Sequence, residues 1–226
     1  GPHSARWDSW GVLLSGCGGN DGSEIHETVI TMLALDRAGV EMILMAPNID
    51  QMHVVNHYTG QEMDEFRNVL VESSRIARGD IKDMAEVTGH DIDALIIPGG
   101  FGVAKNLCDY AMAGADCSIN PDVYRLVSEV HLLQKPIGAI CIAPAMMAKI
   151  MGELDESAEM TIGSDKTTAD DIKAMGSVHV ACPVTEMIID KEKKIITTPA
   201  YMEAKSIKEA AEGIEKLVAE VLAMVE

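Results

Sequence analysis

Short, almost purely apolar runs alternate along this chain with stretches whose apolar residues recur at helical spacing. Trp10 to Leu14, Val40 to Ala46, Ala94 to Ile97 and Ile137 to Ile142 are such runs, each bounded by Gly, Pro or charge, as buried strands are. A glycine-rich turn, Ser15 to Gly22, follows the first. Ser23 then stands where an N-cap would open a helix running to about Ala38, with Gly39 as its stop. Val29 to Leu35 is nearly all apolar, which predicts that this helix is buried on most sides. His53 to Arg67 reads as a polar excursion with a hairpin at Thr59-Gly60. Helices are expected at Asn68 to Ala77, from about Val103, at Pro121 to Leu133, from about Pro144 and at Ala169 to Met175. Met187 to Ile189 and Ile195 to Thr198 form strands around a charged turn. Ile207, Ala210, Ile214, Leu217, Val218, Val221 and Val225 mark a one-sided closing helix.

Buried strands alternating with helices predict a doubly wound α/β domain, a mostly parallel sheet covered on both faces. No linker or internal repeat divides the chain, so residues 11–226 read as one domain. Residues 1–10 read as a lead-in, because Gly1-Pro2-His3-Ser4 resembles a protease-cleavage scar. In such sheets ligands sit beyond the carboxyl ends of the strands. Three stretches there are candidates: Gly16 to Gly22, Gly99 to Gly102, and the residues around Cys141.

Composition narrows the partners. A formal charge of −18 repels phosphate backbones and anionic lipid, which argues against nucleic acid and membrane surfaces. No apolar run is long enough to span a bilayer. Five cysteines without a CxxC pair or zinc spacing fit free thiols in a reducing compartment. The expected location is cytoplasmic, or the mitochondrial matrix if a transit segment was trimmed.

Cys141 is the sharpest chemical signal. It lies where a buried strand gives way to a helix, flanked by Gly138, Ala139 and Ala143, and a tight nucleophile-bearing turn needs neighbours that small. The helix N-terminus behind it should favour thiolate. Pro98-Gly99-Gly100, after another strand, can present N–H groups to a developing oxyanion. Cys17, at the end of the first strand, is expected at the same sheet edge as a possible second thiol. His26 lacks a partner His at helical spacing, so no metal is expected. The glycines at 16 to 22 do not fit GxGxxG, and Asp21 and Glu24 would oppose a pyrophosphate, so no nucleotide cofactor is expected.

Five separated motifs carry a resemblance: Ser15-Gly-Cys-Gly with Asp21-Gly-Ser-Glu-Ile-His-Glu27; Arg67-Asn-Val-Leu70; Pro98-Gly-Gly-Phe-Gly102 with Ala104-Lys-Asn-Leu107; Cys141-Ile-Ala-Pro144; and Thr197-Thr-Pro-Ala-Tyr201. Together they resemble the ElbB (enhancing lycopene biosynthesis protein) family, a branch of the PfpI superfamily, which shares its fold with class I glutamine amidotransferases. The resemblance implies a flavodoxin-like domain, often homodimeric, with Cys141 as nucleophile. It implies a carboxylic acid touching the thiol, placed at Glu27 with Glu24 as fallback, and oxyanion donors at Gly99, Gly100 and Ile142. One departure matters. Ile142 follows the nucleophile where relatives carry His, and the one later His, His179, reads as structural, so glutamine amidotransfer is disfavoured. A Cys–Glu pair suits glutathione-independent glyoxalase chemistry on small aldehydes or dicarbonyls such as glyoxal. The alternative is a non-catalytic redox-sensing or regulatory protein linked to isoprenoid metabolism.

Overall fold

The computed structural model describes residues 8–225. Along the chain run β1 (Ser9–Leu13), α1 (Ile25–Arg37), β2 (Glu41–Ala46), a hairpin of β3 (Val55–Asn56) and β4 (Gln61–Glu62), α2 (Val69–Ala77), β5 (Lys82–Asp83) and β6 (Ala94–Ile97). Then come α3 (Tyr110–Ala113), α4 (Pro121–Leu132), β7 (Ile137–Ile140), α5 (Ala143–Glu153), β8 (Glu159–Met160), α6 (Lys166–Ala174), β9 (Val178–His179), β10 (Ile188–Asp190), β11 (Ile195–Thr198) and α7 (Ile207–Val225). The main sheet is ordered β10-β11-β7-β6-β1-β2-β5 and is parallel except for β10. This is the flavodoxin-like architecture.

From β1 the chain winds outward through β2 to β5, then crosses over to build β6, β7 and β11 on the other side. The direction of winding reverses between β1 and β6, and a crevice opens there at the carboxyl ends. The central strands β6 and β7 are wholly buried, as their uninterrupted apolar runs require. On one face α7 lays Ile214, Leu217, Val218 and Val221 against the sheet, each contributing about 1.5–3 kcal/mol by leaving water.

Three local expectations are corrected. Ser9 and Trp10 belong to β1, and Trp10 is wholly buried, so the lead-in ends by Asp8; the Gly1-Pro2-His3-Ser4 stretch lies outside the described residues. The N-cap of α1 is Glu24, whose carboxylate accepts the Glu27 N–H at 2.7 Å. Ser23 is unavailable for that task because its hydroxyl accepts the Ser15 N–H at 2.8 Å. Nor is α1 buried on most sides. Glu27, Thr31 and Leu35 face inward, while Ile25, Val29 and Leu33, at the same spacing on another face, are 40–48% exposed. No helix among the described residues is long and apolar enough to cross a membrane.

Candidate functional site

Four strand ends meet at the crevice, and each delivers one part of the site. β7 ends at Ile140, one residue before the thiol, and Cys141 takes φ +65°, a left-handed conformation costing a non-glycine residue on the order of 1–3 kcal/mol. The neighbouring strand holds it there, with the Cys141 N–H donating to Thr198 O at 3.0 Å. α5 starts immediately afterwards with Pro144 in its first turn, where a missing N–H costs nothing.

Glu27 comes from the first turn of α1 and is completely buried. Its Oε1 accepts the Gly99 N–H at 2.9 Å, its Oε2 accepts the Tyr201 N–H at 3.1 Å, and the carboxyl lies beside the Cys141 thiol, both of them against Gly99. Gly99 fits between acid and thiol only as glycine, since a Cβ would strike Cys141 Cβ and lie 2.6 Å from Glu27 Oε1. Gly100, at φ +100°, has the same need, because a Cβ there would strike Gly22 O and the Glu24 N.

The structure therefore brings Cys141 and Glu27 together and redistributes the backbone donors. The Gly99 N–H, expected at the oxyanion, is committed to Glu27. The N–H groups of Gly100 and Ile142 are the ones that face the sulfur. Glu24, the fallback acid, is engaged as the cap of α1. Cys17 is half-buried within the glycine-rich turn, near the Glu72–Arg67–Arg75 ion pairs, and it is not part of the wall around Cys141. His179 accepts the Ile162 N–H at 3.1 Å inside the β8–β9 pair, a structural task. His26 bonds the Tyr201 hydroxyl at 2.7 Å.

Electrostatics at the pair differ from expectation. Burial, reinforced by the charge of Glu24, pushes the Glu27 carboxyl up to about 8, against the opposing N–H donors and thiol. Burial and then Glu27 raise the Cys141 thiol well above its ordinary range, against the N–H groups of Gly100 and Ile142. Desolvation thus outweighs the helix N-terminus. At neutral pH the resting pair is a thiol beside a carboxylic acid, and it titrates as one coupled unit.

Cys141 opens onto a cavity of about 730 Å³, whose wall includes Glu24, Phe101, Tyr110, Asp165, Asp171 and Tyr201. Among the described residues, no Lys, Arg or His lines it. Lys105 reaches the rim, but its Nζ is held on Asn20 O at 2.9 Å and over the Phe101 ring. Charge pairs in a wet cleft are worth about 1 kcal/mol or less each. Cys141 is therefore expected to react up to roughly tenfold faster with a cationic than with an anionic methanethiosulfonate of similar size. Equal rates, measured by mass spectrometry of the Cys141 peptide, would refute the electrostatic reading.

Sequence reasoning missed Tyr201 as a donor, together with the far wall at Tyr110, Asp165 and Asp171. The Thr197-to-Tyr201 motif was visible. The strained Ala200, at φ +43°, that precedes the Tyr201 N–H bonded to Glu27 was not.

The sequence profile of the DJ-1/PfpI family matches residues 19–198. The chain is 42% identical over 221 residues to the human "Glutamine amidotransferase-like class 1 domain-containing protein 3, mitochondrial", covering 93% of this chain and 81% of that protein. It is 34% identical to "ES1 protein, mitochondrial" of Danio rerio, over 88% of this chain and 81% of that one. Among solved structures, an isoprenoid biosynthesis protein with an amidotransferase-like domain from Ehrlichia chaffeensis superposes with a TM-score of 0.90 at 38% identity. That match covers 96% of this chain and 99% of the other.

Proposed function

This chain belongs to the DJ-1/PfpI family, and we propose that it is a glyoxalase-type enzyme converting small dicarbonyls such as glyoxal into hydroxy acids, without cofactor. The observation that carries this reading is the neighbour of the thiol: a buried, protonatable carboxyl beside it, in a cavity whose described lining contains no imidazole. Loss of one proton, which the carboxyl gives up before the more strongly raised thiol, leaves carboxylate beside thiol, and the carboxylate takes the thiol proton as the sulfur attacks. The sulfur adds to one aldehyde carbon, and the resulting alkoxide takes a proton to become a hemithioacetal. The Glu27 carboxylate then removes the hydrogen from that carbon, and a proton returns to the neighbouring carbon, giving a thioester of the hydroxy acid. Water cleaves the thioester and regenerates the thiol. The N–H groups of Gly100 and Ile142 are placed to stabilise the charge as it passes between sulfur and oxygen.

The test is conversion of glyoxal in D2O. The expected product is glycolate carrying solvent deuterium at its CH2 carbon, because the Glu27 proton exchanges before it is returned. Absence of glycolate, or an undiminished yield after Cys141 is blocked, would sink the proposal.

Two finer points belong to the same reading. Membership of the ElbB branch rests on the five motifs and is supported by the name of the Ehrlichia relative. The names of the vertebrate relatives favour a mitochondrial setting over a cytoplasmic one. The redox-sensing alternative is less well supported at Cys141, because a sensor works through ready thiolate and this sulfur is held as thiol.

A further inference from the structure

The cavity at Cys141 is far larger than a reaction on glyoxal requires. Its volume of about 730 Å³ lies within the range of roughly 300–1,000 Å³ in which proteins hold ligands of drug size. Glyoxal attached to the sulfur would leave most of that space to water. The wall is also unusual for this chain. Aromatic residues make up 4% of the sequence, eight Phe, Tyr and Trp in all, yet Phe101, Tyr110 and Tyr201 line this one cavity, together with Met202.

The three rings reach the cavity from separate parts of the chain, and two of them are tethered. Tyr110, on α3, donates its hydroxyl to Asp171 Oδ2 on α6 at 2.6 Å. The Tyr201 hydroxyl is bonded to His26 Nδ1 on α1 at 2.7 Å, and its backbone N–H is held on Glu27. Both hydroxyls are engaged, so ring surface is what these side chains offer a ligand. Phe101 has no polar atom to satisfy and stands 52% exposed, with Lys105 Nζ 5.6 Å from its centroid. A ring left that wet gains by being covered. A second ring packed against it adds about two- to tenfold in affinity beyond the area buried.

We propose that the substrate of this site is an uncharged aryl α-oxoaldehyde, its aldehyde carbon at Cys141 and its ring among Phe101, Tyr110 and Tyr201. The inference rests on the glyoxalase-type reading and adds to it the body of the molecule that is turned over. Asp165 and Asp171 stand on the far wall, and no described lining residue is basic, so a carboxylate or phosphate on the ring would be opposed.

Phenylglyoxal is the simplest member of the class. The Cys141 sulfur adds to its aldehyde carbon, and the hydrogen of that carbon passes through Glu27 to the neighbouring carbon, which bears the ring. Water cleaves the thioester, so phenylglyoxal and one water become mandelic acid with no external oxidant or reductant. The carbon that receives the proton becomes a stereocentre. With the ring pinned by the wall and Glu27 fixed by its two N–H donors, the proton arrives on one face, and one enantiomer forms.

The full chain is assayed with phenylglyoxal and with glyoxal, and mandelate is resolved by chiral chromatography. Phenylglyoxal should show a kcat/KM roughly ten- to a hundredfold above that of glyoxal, with one enantiomer of mandelate in large excess. Para-carboxyphenylglyoxal should be turned over severalfold more slowly; equal rates would overturn the requirement for an uncharged ring. In Phe101→Ala, whose side chain is already half in water, the phenylglyoxal-to-glyoxal ratio of kcat/KM should drop about two- to tenfold. Glyoxal turned over with phenylglyoxal no better, or mandelate formed as a racemate, would overturn the inference and leave the glyoxalase reading standing. Turnover of neither compound would sink that reading itself. A binding measurement on the wild type separates the two further: acetophenone, which carries the ring but cannot rearrange, should slow iodoacetamide labelling of Cys141 where acetone does not. Equal protection by both would mean that the three rings hold no aryl group.

Discussion

Replacing Cys141 with alanine is expected to reduce conversion of glyoxal to glycolate to the rate seen in buffer, while the fold is retained. Among the described residues no other thiol lines the cavity, so no neighbour there can take over the addition step. The backbone supplies an internal control. Alanine inherits the left-handed φ of +65° and the strain that goes with it, whereas glycine does not. Cys141→Gly should therefore unfold about 1 kcal/mol later than Cys141→Ala, with equal loss of turnover. Thermal unfolding beside the glycolate assay reads both quantities. Turnover retained in either variant would remove Cys141 from the reaction, and a less stable glycine variant would mean that the turn is not strained.

The Glu27→Gln variant should lose about two to four orders of magnitude in turnover, because the amide cannot carry a proton between carbon and oxygen. Its thiol should nonetheless stay reactive. Without the carboxylate charge that pushes the sulfur up, iodoacetamide labelling of Cys141 should find its midpoint at lower pH than in the wild type. Wild-type turnover should rise with pH through about 8, as the pair gives up its first proton. Stability moves the other way. Between the ordinary carboxylate value of 4.5 and about 8, the native acid holds a proton that the unfolded chain releases, so stability falls as pH rises across that window. The slope from this group is at most about 1.4 kcal/mol per pH unit, on the order of 4–5 kcal/mol over the window. Surface carboxylates with lowered values, such as Glu156 and Asp165, act below it. Denaturant unfolding at several pH values should show the wild-type slope flattened in Glu27→Gln. An unchanged slope would mean that Glu27 is ionised throughout.

Much of this arrangement could be read before any coordinates. The alternation of apolar runs and helices gave the sheet, and the small residues around Cys141 gave the turn. The acid beside the thiol came from the family resemblance, which placed it at Glu27. What stayed hidden was directional or distant. Whether Gly99 or Gly100 turns its N–H to the sulfur depends on the +100° torsion of Gly100, and two adjacent glycines look alike in sequence. Ser23 is the better N-cap by residue type, yet its hydroxyl is claimed by Ser15. The apolar run from Val29 to Leu35 does not say which of its faces meets the sheet. The raised thiol was missed because the helix N-terminus is visible from sequence and the depth of burial is not.

The two N–H groups that grip Glu27 arrive from 72 and 174 residues further along the chain. During synthesis Glu27 and Cys141 both leave the ribosome well before Tyr201 does. Until that last strand end swings in, the acid lacks one of its two clasps and the cysteine lacks the Thr198 anchor. A nascent or C-terminally clipped chain thus carries an ordinary thiol. The tuned one appears only with the finished molecule, so reactivity at Cys141 reports that translation and assembly are complete.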